Sequence, residues 1–347
     1  MPYYEDRDTY IGRQTAWHGQ GTVTGKYQTT AELLADKTFQ FDLFKSQLHD
    51  GLGRLVDAWG IYRWNHDDKA RRDMQATRFL SSVGKDYTII PFAEGFKTID
   101  ALMQTANHGA HYETAGTIDH GAKLWALADL GLRTHVGADE HKNYLLFATS
   151  YDGSMSHTYK LVDERVVCRN TFAAAMSEKT TAMMKVKATK NALNKLVKTR
   201  EILESMGQDV KVMEDRLNFL ATRKLTKEAY TEVVDRLFPK AKDDEGKERD
   251  TTRRTNILND ILRIYEFNDG DTFKEQRGTS YNLLNAITNY VDHERMSDST
   301  ARVESATFGS GDALKTKASE VIYEVSQGLS AMTMGYSGDL AAIGLNI

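Results

Sequence analysis

The chain has 347 residues, 40% of them hydrophobic and 10% aromatic, and a formal net charge of −4. That length and apolar content allow one large domain or two intimately packed ones and exclude a disordered chain. The small negative net charge excludes a protein that is basic all over, and no apolar stretch approaches the roughly 20 residues a spanning helix needs, so no membrane partner is expected.

Proline occurs only at Pro2, Pro91 and Pro239, so glycine and charge must punctuate the chain. Residues 1–26 are rich in Gly, Thr and Tyr without periodicity and read as an extended arm. The polar, acidic start MPYYEDRDTYIGRQ does not resemble a signal peptide. Thr29 and Thr30 before AELLAD predict an N-cap and a short helix. FQFDLF and DAWGIYRW are strand-like pieces on either side of GLGR, and a polar break follows at 65–73. DYTIIPF, from Asp86 to Phe92, predicts a strand. Ala93 to Ala106 has helical spacing at Phe96, Ile99, Leu102 and Met103.

Four strand-like runs come next: HYETAGTI, KLWALADL, YLLFATS and SHTYKLVDERVVC. Asp152-Gly153 between the last two is a strong hairpin signal. From Asn170 or Thr171 the pattern turns helical, with one helix expected to reach about Met206, a second over 208–224 and a third from Thr226 to Pro239. Residues 240–252 read as a charged linker or exposed loop, with helices expected near 253–267, 279–296 and 311–327. No internal repeat or low-complexity tract is present. The reading is an α+β protein: an N-terminal arm and small β/α region over 1–82, an antiparallel sheet with a crossing helix over 83–206 that ends in a long basic helix, and a helical region over 207–347.

Charge is concentrated in that basic helix. Between Lys179 and Arg200 lie Lys185, Lys187, Lys190, Lys195 and Lys198, and no acid. At about 100° per residue, Ala182, Val186, Leu193 and Val197 share one stripe, while Lys187, Lys195 and Lys198 lie opposite it. A face of this kind can neutralise phosphates without reading bases. The plainer alternative is a solvated helix, although those usually interleave glutamate with lysine. Arg165 and Arg169 can extend the strip, and Tyr144 and Tyr151, with Phe147 and Tyr159, are candidates for stacking on bases if the sheet is one-sided, the plainer alternative being that they belong to the core.

Other chemistry finds little support. His108, His111 and His120, His135 and His141 with Asp139 and Glu140, and Asp292-His293-Glu294 are dense in donors, but none has a known ligand spacing, so no metal is expected. Asn268-Asp269-Gly270-Asp271 lacks the spacing of a calcium loop. HGQGTVTG at 18–25 lacks the flanking strand and helix of a nucleotide loop, and no nucleophile elbow exists, so no cofactor and no catalytic residue are assigned. Cys168, the single cysteine, excludes an internal disulfide and reads as an inert thiol in a reducing compartment, so the bacterial host cytoplasm is expected.

Three stretches, TAWHGQGTVTG at 15–25, the run from ETAGTIDHGAKLWALADL to ERVVCRNT at 113–171, and RGTSYNLLNAITNYVDHER at 277–295, resemble the phage/plasmid-like proteins, a family without an assigned activity. The resemblance implies a mobile-element origin. The order of elements from 86 to 205 is also similar to the core of phage single-strand annealing recombinases, which implies a DNA path along the basic helix. The expectation that follows is a homo-oligomeric, non-enzymatic protein that binds and anneals single-stranded DNA in recombination. A protein-interaction module that captures a host protein, and an enzyme with an unfamiliar site around His18, His120 or Cys168, are the alternatives.

Overall fold

The structure, a computed structural model, describes residues 9–12, 22–23, 29–65, 77–105, 109–165, 171–173, 183–189, 206–267 and 273–329. The chain forms two compact units, each assembled from separated stretches. The first takes Met1–Leu132, Asn143–Leu161 and Thr180–Gly207, the second Arg133–Lys142, Val162–Lys179 and Gln208–Ile347. Antiparallel sheets dominate the first half and helices the second, which is the α+β class expected.

In chain order the first elements are β1 (Thr9–Gly12), β2 (Thr22–Val23) and α1 (Thr30–Ala35). The α1 cap is reciprocal. Thr29 Oγ1 accepts from the Glu32 N–H, and the Glu32 carboxylate accepts from the Thr29 N–H, each at 3.2 Å. A three-stranded antiparallel sheet follows, in the order β3 (Phe41–His49), β4 (Leu55–Asn65) and β5 (Thr77–Val83). Cross-strand aromatics hold it: Phe44 stacks on Tyr62 at 5.2 Å, and Tyr62 meets Phe79 edge-on at 5.5 Å. At the β3–β4 turn Leu52 and Leu55 stay 79% and 62% exposed.

The run DYTIIPF is not a strand. Residues 84–87 make a turn and 88–91 an irregular connection, and 77–83 form the strand instead. Pro91 lacks an N–H for a ladder, and the segment is tied down individually: Tyr87 Oη donates to Ser150 O at 3.2 Å, and Tyr151 Oη donates to Ile90 O at 3.2 Å. Helix α2 (Phe92–Thr105) buries Phe92, Phe96 and Ile99. Phe96 sits among Phe39, Phe92, Tyr112 and Phe147, with centroids 5.4 to 6.1 Å away. Gly95 permits this approach, because a Cβ there would lie 2.2 Å from Phe147 Cζ.

The main sheet adds β6 (His111–Ile118), β7 (Lys123–Val136), β8 (Asp139–Ser150), β9 (His157–Arg165), β10 (Thr171–Ala173) and β11 (Met183–Val186). Its order is β10-β9-β8-β7-β6-β1-β2, and β11 also pairs with β9. Strands 112–118, 124–130 and 143–150 are buried at every position, so side chains on both faces are covered. The condition of a one-sided sheet, on which outward-facing aromatics depended, is therefore not met in these strands. Gly137, at φ +62, opens the two-residue turn between β7 and β8, the place where a type II′ hairpin favours glycine.

The long helix expected from 171 to about 206 is also corrected in its described part. Residues 171–173 pair antiparallel with Val162–Glu164, and 183–186 with His157–Lys160. Residues 190–205 lie outside the described residues.

In the second unit, α3 (Met206–Ala221), α4 (Lys227–Leu237), α5 (Thr252–Phe267), α6 (Ser280–Asn289), α7 (Ser299–Phe308) and α8 (Ser310–Ser326) follow in order. Thr226 caps α4 and Thr279 caps α6 through their hydroxyls. The charged stretch 240–252 is mostly exposed, and within it β12 (Ala241–Lys242) and β13 (Glu248–Arg249) pair as a short hairpin. Every residue of α6 from Ser280 to Thr288 is buried, which makes it the central helix of this unit. It continues into one wide π turn, Tyr290–Glu294.

Candidate functional site

Of the basic strip, Lys185 and Lys187 are described, and both are exposed. Alternation along β11 turns Met183 and Lys185 outward and Val186, 3% exposed, inward, and Lys187 follows at the strand end. Lys190, Lys195, Lys198, Arg200 and Arg169 lie outside the described residues, as do His18, His108, Cys168 and 268–271. Arg165 ends β9, and only its backbone is described.

The proposed stacking residues are corrected. Tyr144 and Tyr151 are 2% and 0% exposed, and Phe147 and Tyr159 are equally buried, so none can meet a base. Their rings fill the core instead: Phe147 packs on Tyr159 at 5.1 Å, and Tyr159 Oη donates to Gly95 O at 3.2 Å.

Polar groups gather in two places. In the second unit His141 is wholly enclosed. Its Nδ1 bonds Asp163, its Nε2 lies 2.8 Å from Tyr281 Oη, and that hydroxyl donates to Asp139 Oδ2 at 2.7 Å. Thr134 Oγ1 donates to the other Asp163 oxygen at 3.2 Å. Burial pushes the imidazole pKa down, but the charges and hydrogen bonds of Asp163 and Asp139 outweigh it and raise it to about 9. Both ring nitrogens then carry protons, and an imidazolium sits between two carboxylates. The array resembles a proton relay, yet His141, Asp139 and Asp163 are all 0% exposed. These side chains clasp β8, β9 and α6 together. Strand alternation selects His141 and Asp139 and turns His135 and Glu140 outward.

In the first unit His111 faces Asp129 directly across β6 and β7, and Glu113 is two residues along β6. His111 Nδ1 lies 3.0 Å from Gly109 O and its Nε2 3.1 Å from Glu113 Oε2. The Gly131 N–H donates to Asp129 Oδ1 at 2.7 Å. One donor atom from each of the three falls within 4.8 Å of the others. His120, expected with His111, lies elsewhere, in a left-handed turn (φ +58) where its carbonyl accepts from Arg63 Nη1 at 2.7 Å. Asp292 pairs with Lys315 and Glu294 with Arg263, which separates that acidic cluster as expected of adjacent helical residues.

Fold and sites together define an α+β protein of two units, with Lys185 and Lys187 exposed at or beside strand β11 and a His–carboxylate cluster that solvent can reach. Residues 79–319 match the family described as a domain of unknown function (DUF932), and the chain belongs to that family. No curated protein and no solved structure matches it.

Proposed function

We propose that the protein binds single-stranded nucleic acid through its phosphates, with the basic strip from Lys179 to Arg200 as the contact, and acts as a homo-oligomer in the recombination of a phage or other mobile element. The observation that carries this reading is the strip itself: seven cations and no acid in an otherwise acidic chain, with Lys185 and Lys187 exposed. The burial of Tyr144 and Tyr151 removes stacking from the proposal, so contact rests on charge and affinity should fall steeply with salt.

The test is fluorescence anisotropy with a labelled oligothymidylate over a salt series. Replacing Lys187, Lys195 and Lys198 with Glu should abolish binding and flatten the salt slope. A triple variant that held the oligonucleotide like its parent would overturn the reading.

A second reading, capture of a protein partner, is favoured by Leu52 and Leu55 at the β3–β4 turn. It predicts no affinity for oligonucleotides of arbitrary sequence and an unchanged result for the lysine variant.

A further inference from the structure

We propose that His111, Glu113 and Asp129 form a site for a divalent ion of the zinc–manganese class on one face of the β6–β7 ladder. This goes beyond the phosphate-binding reading and does not depend on it.

The ladder assembles the donors. His111 and Asp129 are direct cross-strand partners, and the His111 ring meets the Glu113 carboxylate at 3.1 Å. The register shifts between Tyr112 and Thr114, so Glu113 sits at a β-bulge, a device that re-aims a side chain. The three donor atoms lie within 4.8 Å of one another. Metal–ligand bonds of about 2.0–2.2 Å span at most about 4.4 Å between donors, so a small side-chain rotation closes the set.

The histidine tautomer is the independent indication. A carbonyl oxygen only accepts, so Gly109 O fixes the proton on Nδ1 of His111. In a neutral ring the Nε2 lone pair would then face a carboxylate oxygen 3.1 Å away. Two acceptors at that distance are joined by a proton or by a metal ion. Metal-bound histidines commonly donate their other N–H to a backbone carbonyl, and ligating carboxylates are held by hydrogen bonds of their own. Gly109 O and the Gly131 N–H supply both supports.

One nitrogen and two oxygens, without thiolate, suit Zn²⁺ or Mn²⁺ better than a soft ion. The His111 and Glu113 side chains keep 18% and 11% exposure, so water can complete the coordination. Three protein ligands with an accessible position match open sites rather than closed four-ligand ones.

The test uses the full chain, stripped with chelator and dialysed in separate arms against Zn²⁺, Mn²⁺ or Mg²⁺, with retained metal counted after gel filtration. About one equivalent of Zn²⁺ or Mn²⁺ is expected, and Glu113→Gln and Asp129→Asn, which remove direct ligands, should each weaken affinity by more than the roughly 10- to 100-fold that loss of an outer-shell partner costs. Circular dichroism checks that each variant folds. If neither folds, Co²⁺ added to the parent decides, since a bound ion gives visible d–d absorption and perturbs the His111 ring resonances. The proposal is overturned by retention no higher than background, by retention unchanged in both folded variants, by uptake of Mg²⁺ alone, or by a Co²⁺ sample that leaves the His111 ring unperturbed. A protein that retains no metal while its His111 ring is doubly protonated would show that a proton bridges the cluster.

Discussion

The ammonium of Lys315 lies 2.7 Å from Oδ1 of Asp292, and both side chains are almost fully buried, at 3% and 1% exposure. An ion pair so enclosed contributes little net stability compared with apolar residues of the same shape, yet removing one partner leaves a charge stranded. Lys315→Met alone should cost about 3–5 kcal/mol in urea unfolding. Lys315→Met with Asp292→Leu should recover most of that loss. Equal costs for the single and double variants would show that the pairing is not what keeps these groups inside.

His141 makes a prediction at alkaline pH. Its pKa is raised from the usual 6.5 to about 9 in the folded protein. Its contribution is therefore complete below pH 6.5 and is lost as pH rises through 9, up to about 3 kcal/mol. Nitrogen-15 spectra of the imidazole at pH 7.5 should show protons on both ring nitrogens. A singly protonated ring at that pH would remove the imidazolium from the clasp.

His157 makes the opposite one. Burial pushes its pKa down to about 4, and the ring is held neutral beside Thr149 and edge-on to Phe147. Its contribution is present above pH 6.5 and is lost as pH falls through 4, again up to about 3 kcal/mol. His157→Phe should unfold less steeply with acid than the parent over that window. Parallel curves would count against it.

Gly95→Ala tests the core above β8. Alanine gains about 1 kcal/mol of helix propensity over glycine in a helix interior. Its Cβ, however, would fall 2.2 Å from Phe147 Cζ, in a ring cluster that includes Phe96 and Tyr159. Overpacking of about 1–3 kcal/mol should win, and the melting temperature should drop. A rise would mean that Phe147 repacks freely.

Local signals were legible in the sequence and non-local ones were not. The cap at Thr29 involves residues three apart, so it could be read directly. The strand at 183–186 could not, because 182–197 carries a helical period and only its pairing with 157–160 overrides that preference. Tyr144 and Tyr151 misled for a related reason. The near-continuous apolar runs around them are the mark of strands covered on both faces, while the outward aromatics assumed one covered face. Neither polar cluster could be found by spacing. His141 meets Tyr281 from 140 residues away, and His111 meets Asp129 only through the β6–β7 register.

The wide turn at Tyr290–Glu294 has a consequence for descent. A π turn amounts to one extra residue in an α-helix, and each residue advances the helix by about 100°. A relative lacking one residue here would swing the position of Asp292 out of reach of Lys315. Lineages of this family should therefore keep or lose the inserted residue, the buried acid and the buried base as a single heritable unit.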